Sequence, residues 1–170
     1  MNTFNIKIGG EAGQGLASIG NILLRATTEE GWYLFANQDY ESRIRGGHNF
    51  FQIRLSDQPV ATWEKEIDLL VALDKTTVDL GDGELSDKGI VIYDPDVLGE
   101  EALSLKDKPN YLGIAFTRIA EELGQKKIMA NAVAAGAIWS LLSDEMTVLD
   151  STLGQMFGRL GDEIVKGNQL

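Results

Sequence analysis

Apolar and polar residues alternate from Asn2 to Gly9, and the alternation stops at Gly9-Gly10, as a strand does on entering a loop. Leu16, Ile19, Leu23 and Ala26 then recur at helical spacing, with Arg25 and Glu29 on the other face. This predicts an amphipathic helix ending near Gly31. The aromatic run Trp32–Ala36 reads as a second strand, Asn37–Gly47 as a polar loop, and Asn49–Leu55 as a third strand. Ile67–Leu73 is apolar throughout but too short for a helix core, so a buried strand is expected there. Gly89–Tyr93, closed by Asp94-Pro95, reads as another strand, and Asn110–Ile114 as a further short one. Beyond it the pattern turns helical. Ile128–Leu142 is alanine-rich and apolar nearly all round, which predicts a buried core helix. Val148/Leu149, Thr152/Leu153, Met156/Phe157, Leu160 and Ile164 continue at helical spacing.

Strands alternating with helices predict an α/β fold: a single three-layer, Rossmann-like domain over residues 1–170. Its central sheet is expected to be largely parallel, with a mixed order allowed. A chain of this length buries enough surface for one core.

Composition narrows the function. Fifteen basic against 26 acidic residues leave a net charge of −11, which repels polyanions and argues against a nucleic-acid or anionic-membrane surface. A small anion held by a local basic loop stays possible. No segment approaches the roughly 20 apolar residues of a membrane span. No signal-type segment precedes the first strand, so the cytoplasm is the expected compartment. Cysteine is absent, which excludes a disulfide, a thiol nucleophile and a cysteine-ligated iron–sulfur cluster on this chain. With one histidine, His48, a His-rich metal site is excluded too. No metal is expected.

Two segments could carry chemistry. Gly9-Gly10-Glu11-Ala12-Gly13-Gln14-Gly15 joins the first strand to the first helix. Glycines there let the backbone approach a ligand, and the helix N-terminus favours phosphate. The dinucleotide fingerprint is incomplete: Ser18 stands where a third glycine or alanine belongs, and the second strand, read as ending at Ala36-Asn37, lacks an acidic residue at its tip, with Asp39 falling in the loop. A tight strand–helix turn accounts for the same residues. The second segment, Tyr40 to Asn49, sets Arg43 and Arg45 before Gly46, Gly47 and His48, a cationic loop in an acidic chain. Guanidinium groups grip phosphate with paired hydrogen bonds, although surface pairing with carboxylates explains them equally well. His48 has no serine, cysteine or acid placed by sequence for a relay, so it is read as a hydrogen-bonding residue and no catalytic residue is assigned. Asp68, Asp74, Asp94 and Asp96, at strand ends, are read as turn and capping residues. Lys126-Lys127 read as solvated, and Trp32, Trp63 and Trp139 as packing residues.

Taken together, Gly10-Glu11-Ala12-Gly13-Gln14-Gly15 and Tyr40 to Arg54 resemble the gamma domain of the 2-oxoacid:ferredoxin oxidoreductases. The form they most resemble is the one fused at the N-terminus of the alpha subunit in 2-oxoglutarate-type enzymes. Asp68–Asp74, Gly89–Asp94, Asn131 and Gly136 extend the likeness in order along nearly the whole chain. The resemblance implies a part of an enzyme that converts a 2-oxoacid (pyruvate or 2-oxoglutarate, for example) and coenzyme A to acyl-CoA, carbon dioxide and reduced ferredoxin. It implies thiamine diphosphate between the alpha and beta partner portions, iron–sulfur clusters on other partner domains, and coenzyme A contact here. Gly10, Gly13, Gln14 and Gly15 would face phosphate, and Arg43, Arg45, Gly46, Gly47 and His48 would form the second contact. The isolated chain is expected to be inactive. The alternatives are a freestanding Rossmann-type nucleotide-binding oxidoreductase and a purely structural assembly domain.

Overall fold

A computed structural model describes residues 3–40, 47–123, 129–158 and 162–169. Contacts divide the chain into two compact units, residues 1–16 with 32–115 and residues 17–31 with 116–170.

The first unit is built on a six-stranded sheet. Its strands are β1 (Thr3–Gly10), β2 (Tyr33–Asp39), β3 (Asn49–Ser56), β4 (Ile67–Ala72), β5 (Leu85–Tyr93) and β6 (Tyr111–Gly113), in the order β2-β3-β1-β4-β5-β6. β1, β4, β5 and β6 are parallel, whereas β3 runs antiparallel between β1 and β2. The fold is therefore α/β with a mixed sheet, as the sequence pattern predicts. Helices α2 (Lys75–Gly81) and α3 (Pro95–Leu98) belong to the same unit.

Side-chain parity explains the packing. Leu70, Val91, Tyr93 and Tyr111 share one face and join Val78, Leu98, Ala102 and Leu105 in a buried cluster. On the other face Ile6, Ile8, Ile53, Leu55, Leu69, Val71 and Ile92 are fully buried. β4 is apolar on both sides for this reason. Next to the cluster, the face formed by β1 and β3 is polar. Asn5 N–H and Ser86 Oγ–H donate to the Asp68 carboxylate at 2.8 and 3.1 Å. Arg54 pairs with Glu64 and donates to Thr62 O at 3.1 Å, pinning the segment before β4.

The second unit holds α1 (Leu16–Glu29) beyond its first residue, α4 (Phe116–Glu122), α5 (Ala130–Trp139), α6 (Thr147–Phe157) and α7 (Asp162–Gln169). Ile19, Ile22, Leu23 and Ala26 give α1 its buried stripe. α5 buries Ala132, Ala134, Ala135, Ile138 and Trp139 on one face, while Val133, Gly136 and Ala137 on the other are half-buried, so burial is less complete all round than the composition predicts. Trp139 is 1% exposed, and its indole N–H donates to Glu145 O at 2.8 Å. Ile119, Leu123, Val133, Leu149 and Leu153 line an apolar cavity of about 190 Å³ in this unit.

Several expectations are corrected. Asn37–Asp39 are not loop: they extend β2, because their backbones pair with Phe50–Gln52 of β3 whatever the polarity of their side chains. β5 starts at Leu85, four residues before Gly89. Trp63 is 51% exposed and is no packing residue. Asp68 is neither turn nor cap, since it sits inside β4 and accepts from Asn5 and Ser86.

Candidate functional site

In a parallel sheet, loops leaving the C-terminal strand ends gather along one edge. The crevice lies where neighbouring strands send the chain in opposite directions. Here that point is between β1 and β4. From β1 the chain proceeds to β2 on one side of the sheet, and from β4 to β5 on the other. The loop 9–15 follows β1, and Leu73-Asp74 follow β4, so both meet at this point.

Leu73 ties the two together. Its N–H donates to Gly9 O at 2.9 Å, and its carbonyl accepts from Gln14 Nε2 at 3.1 Å. The other half of the same amide, Gln14 Oε1, accepts from Glu11 N–H at 2.7 Å, and Gln14 N–H donates to Glu11 O at 3.2 Å. Gly13 and Gly15 have φ values of 93° and 91°, in the region that L side chains avoid, which lets so short a loop close on itself. Glu11, Ala12 and Gly13 form its exposed tip.

α2 abuts the same edge. Asp74 caps it, with Oδ1 accepting from both Thr77 N–H and Thr77 Oγ–H at 2.7 Å. A Cβ on Gly9 would run into the Thr77 side chain, so glycine permits this approach. Asp94 likewise caps α3, accepting from Asp96 N–H at 2.9 Å.

The second candidate segment begins at the same edge because β3 is antiparallel. Gly10 pairs with Asn49, and Asp39 with Phe50. The strand ends that flank the β2–β3 connection therefore stand beside the loop 9–15. Gly47, with φ 91°, and His48 are at the β3 end of that connection. His48 lies 6.5 Å from the Phe50 ring, which also carries Lys7 Nζ 4.5 Å from its centroid. His48 Nδ1 is buried with no hydrogen-bond partner among the described residues, so one polar group is left to be satisfied. Arg43, Arg45 and Gly46 lie outside the described residues, as do Lys126 and Lys127.

Gly10, Gly13, Gln14, Gly15, Gly47 and His48 thus share one edge. Sequence reasoning missed Leu73, which acts through its backbone and leaves no signal in its side chain. It also missed Thr77, which the pattern Asp74-x-x-Thr77 could have revealed as half of a helix cap. Among the described residues no group of His, Asp and Glu is placed to hold a metal ion. No described helix is long and apolar enough to cross a membrane.

The fold and the glycine loop at its switch point define an open-sheet α/β protein, of the kind whose ligands meet the C-terminal edge of the sheet. A family profile described as pyruvate ferredoxin/flavodoxin oxidoreductase matches residues 5–169, and the chain belongs to that family. The 2-oxoglutarate synthase subunit KorC of Methanocaldococcus jannaschii is 32% identical over 155 residues, covering 86% of this chain and 82% of the relative. The 2-oxoacid:ferredoxin oxidoreductase subunit alpha of Saccharolobus solfataricus is 32% identical over 95 residues, 56% of this chain. The chain spans little of that larger relative: the match covers 15% of its length. Among solved structures, the gamma subunit of keto/oxoacid ferredoxin oxidoreductase from Geobacter sulfurreducens matches with a TM-score of 0.79 at 25% identity. That match covers 99% of this chain and 91% of the other. The 2-oxoglutarate:ferredoxin oxidoreductase from Magnetococcus marinus, solved with 2-oxoglutarate, coenzyme A and succinyl-CoA bound, gives a TM-score of 0.86. It covers 99% of this chain and 29% of its own, and at 21% identity the likeness speaks to the fold.

Proposed function

We propose that residues 1–170 act as the gamma-type part of a thiamine diphosphate-dependent 2-oxoacid:ferredoxin oxidoreductase. Its task is to help hold coenzyme A and to assemble with the alpha and beta portions. The observation that carries the reading is the pairing of Gly10 with Asn49. It sets the loop 9–15 and the Gly47-His48 turn side by side, where one pyrophosphate can meet both. The unpartnered His48 Nδ1 supports it, because a bound polar group would satisfy that nitrogen. Arg43 and Arg45, in the same β2–β3 connection, supply positive charge that an acidic chain otherwise withholds from an anion. Gly10, Gly13, Gly15, Gly46 and Gly47 let the backbone approach.

Thiamine diphosphate and the iron–sulfur clusters belong on the partner portions. With no cysteine, this chain has no thiolate for a cluster, and electrons reach ferredoxin through the assembled complex. Tyr33, Tyr40 and Trp63, each half or more exposed, offer apolar area for assembly. The reaction is cytoplasmic in this reading.

The test is reconstitution with alpha and beta portions, followed by 2-oxoacid-dependent ferredoxin reduction at varied coenzyme A. The chain alone is expected to be inactive. Replacing Arg43 and Arg45 together by alanine should raise the KM for coenzyme A about a hundredfold or more, the loss of charge-assisted hydrogen bonds of ~1.5–3 kcal/mol each. Reconstituted activity whose coenzyme A dependence ignores both arginines would favour a purely structural part. Saturable NAD binding with no response to coenzyme A would favour a freestanding nucleotide-binding enzyme.

A further inference from the structure

We infer that Gln14 is a positioning residue that fixes the shape of the loop 9–15 and does not itself meet the ligand; this rests on the coenzyme A reading of that loop. Both ends of its amide are engaged inside the protein, Oε1 by Glu11 N–H at 2.7 Å and Nε2 by Leu73 O at 3.1 Å. One planar group thereby bridges the start of the loop and the end of β4, across the switch point. No other amino acid offers an acceptor and a donor at that reach from Cα. Glutamate supplies the acceptor but sets a second carboxylate oxygen against the Leu73 carbonyl, and methionine fills the volume with neither.

Gly10 is the necessary complement. A Cβ there would stand 2.5 Å from Gln14 Oε1 and 3.0 Å from Leu73 Cβ, so any side chain pushes the strap out of place. The positive φ values of Gly13 and Gly15 explain why a strap is needed. Glycine gives the loop access to many conformations, and the amide selects one of them. With that selection, the ordering cost is met during folding and not on binding.

The prediction involves two residues and two readouts. In the full chain, alone and assembled with its partner portions, Gln14→Met and Gly10→Ala should each speed hydrogen exchange at the Glu11 amide. Each should also weaken coenzyme A binding about tenfold, with little change in the thermal midpoint. Gln14→Glu separates positioning from bulk. Its carboxyl, when protonated, regains a donor for Leu73 O. Both Glu11 protection and coenzyme A affinity should therefore recover as pH falls from about 7 to about 4, through the ordinary glutamate range, in this variant and not in Gln14→Met. Glu11 and Asp74 are the carboxylates beside these residues in the chain, so the wild type is titrated in parallel.

Unchanged Glu11 exchange in Gln14→Met would overturn the strap itself, whatever coenzyme A does. Faster exchange with wild-type coenzyme A affinity would overturn the positioning role while leaving the coenzyme A reading intact. Failure of the wild type to bind coenzyme A in either form would remove that reading, and the positioning role with it.

Discussion

Gly13, Gly31 and Gly83 form a natural set for asking what the loop conformation costs. A Cβ at any of the three would meet nothing within 4 Å. Steric clash is therefore absent, and only the backbone differs. Gly13 and Gly31 have φ of 93° and 91°, whereas Gly83 lies in a short helical turn outside the positive-φ region. An L-residue forced to positive φ costs about 1–2 kcal/mol. For a chain of this size, each kcal/mol lowers the thermal midpoint by roughly 2–4 °C. Gly13→Ala and Gly31→Ala should therefore each melt roughly 2–8 °C below wild type. Gly83→Ala should melt at or slightly above it, because alanine reduces the freedom of the unfolded chain by about 0.4–1 kcal/mol. Calorimetric melts of the three variants test this. Coenzyme A titration then divides the first two on the proposed reading, since Gly31 follows α1 in the chain and is no part of the loop 9–15, so only Gly13→Ala should bind more weakly. Equal midpoints for Gly13→Ala and Gly83→Ala would refute the conformational argument.

Three further outcomes follow from the packing. Burial, and then the hydrogen bond to Asp82 at 2.6 Å, raise the Tyr111 phenol above its ordinary pKa. The folded state thus keeps the proton longer than the unfolded one. The resulting stability is whole below about pH 10 and is lost as pH rises beyond it. Urea midpoints across that range should fall more steeply for wild type than for Tyr111→Phe, and parallel slopes would contradict this. Leu70 is fully buried in the Val78–Val91 cluster, and its methyls fill the space beside Gly81. Leu70→Ala should cost about 2–5 kcal/mol in chemical denaturation, and a loss under about 1 kcal/mol would show that the site collapses freely. Trp139→Phe removes the indole bond to Glu145 O and should destabilise by about 1–2 kcal/mol, read by the same method.

What the sequence made legible depended on whether side chains or backbone carried the information. The apolar run of β4 and the 3.6-residue period of α1 record burial directly, and both elements form where the pattern places them. The apolar composition of α5 records its place in a core equally directly, although only one face of it is fully buried. The extension of β2 through Asn37–Asp39 left no such record, because pairing with β3 holds the backbone while the side chains remain polar. The antiparallel course of β3 is likewise a fact of pairing and not of pattern. At the site, the glycines at 10, 13, 15 and 47 were visible as residue types, and the resemblance joined the two segments. Their adjacency came from the register of β1 with β3. Gln14 was legible as a polar residue in a glycine loop, but its engagement with Leu73 needed the geometry of β4.

On the proposed reading, the opposite ends of the sheet differ in a way that leaves an acidic chain room for an anion. Where β1 and β4 begin, charge is held by partners: Arg54 pairs with Glu64, and Asp68 accepts from the Asn5 amide and the Ser86 hydroxyl. Lys7 Nζ reaches Glu84 at 2.5 Å. Where the parallel strands end, Asp74 and Asp94 are engaged by backbone amides of the helices they cap, which draw their negative charge towards the chain. The loop there is shaped by glycine and one neutral amide. Between β2 and β3 the cationic residues are Arg43 and Arg45, because Arg54 is committed at the far end of β3. On the proposed reading, an anion approaching this edge meets a loop with one carboxylate, Glu11 at its exposed tip, and draws on the two arginines of the β2–β3 connection, although the chain carries −11 overall. The long-range repulsion from the remaining acids fades within about 10 Å at moderate salt. Direct guanidinium contacts act well inside that distance, which is why the local arrangement, and not the net charge, decides what this edge can hold.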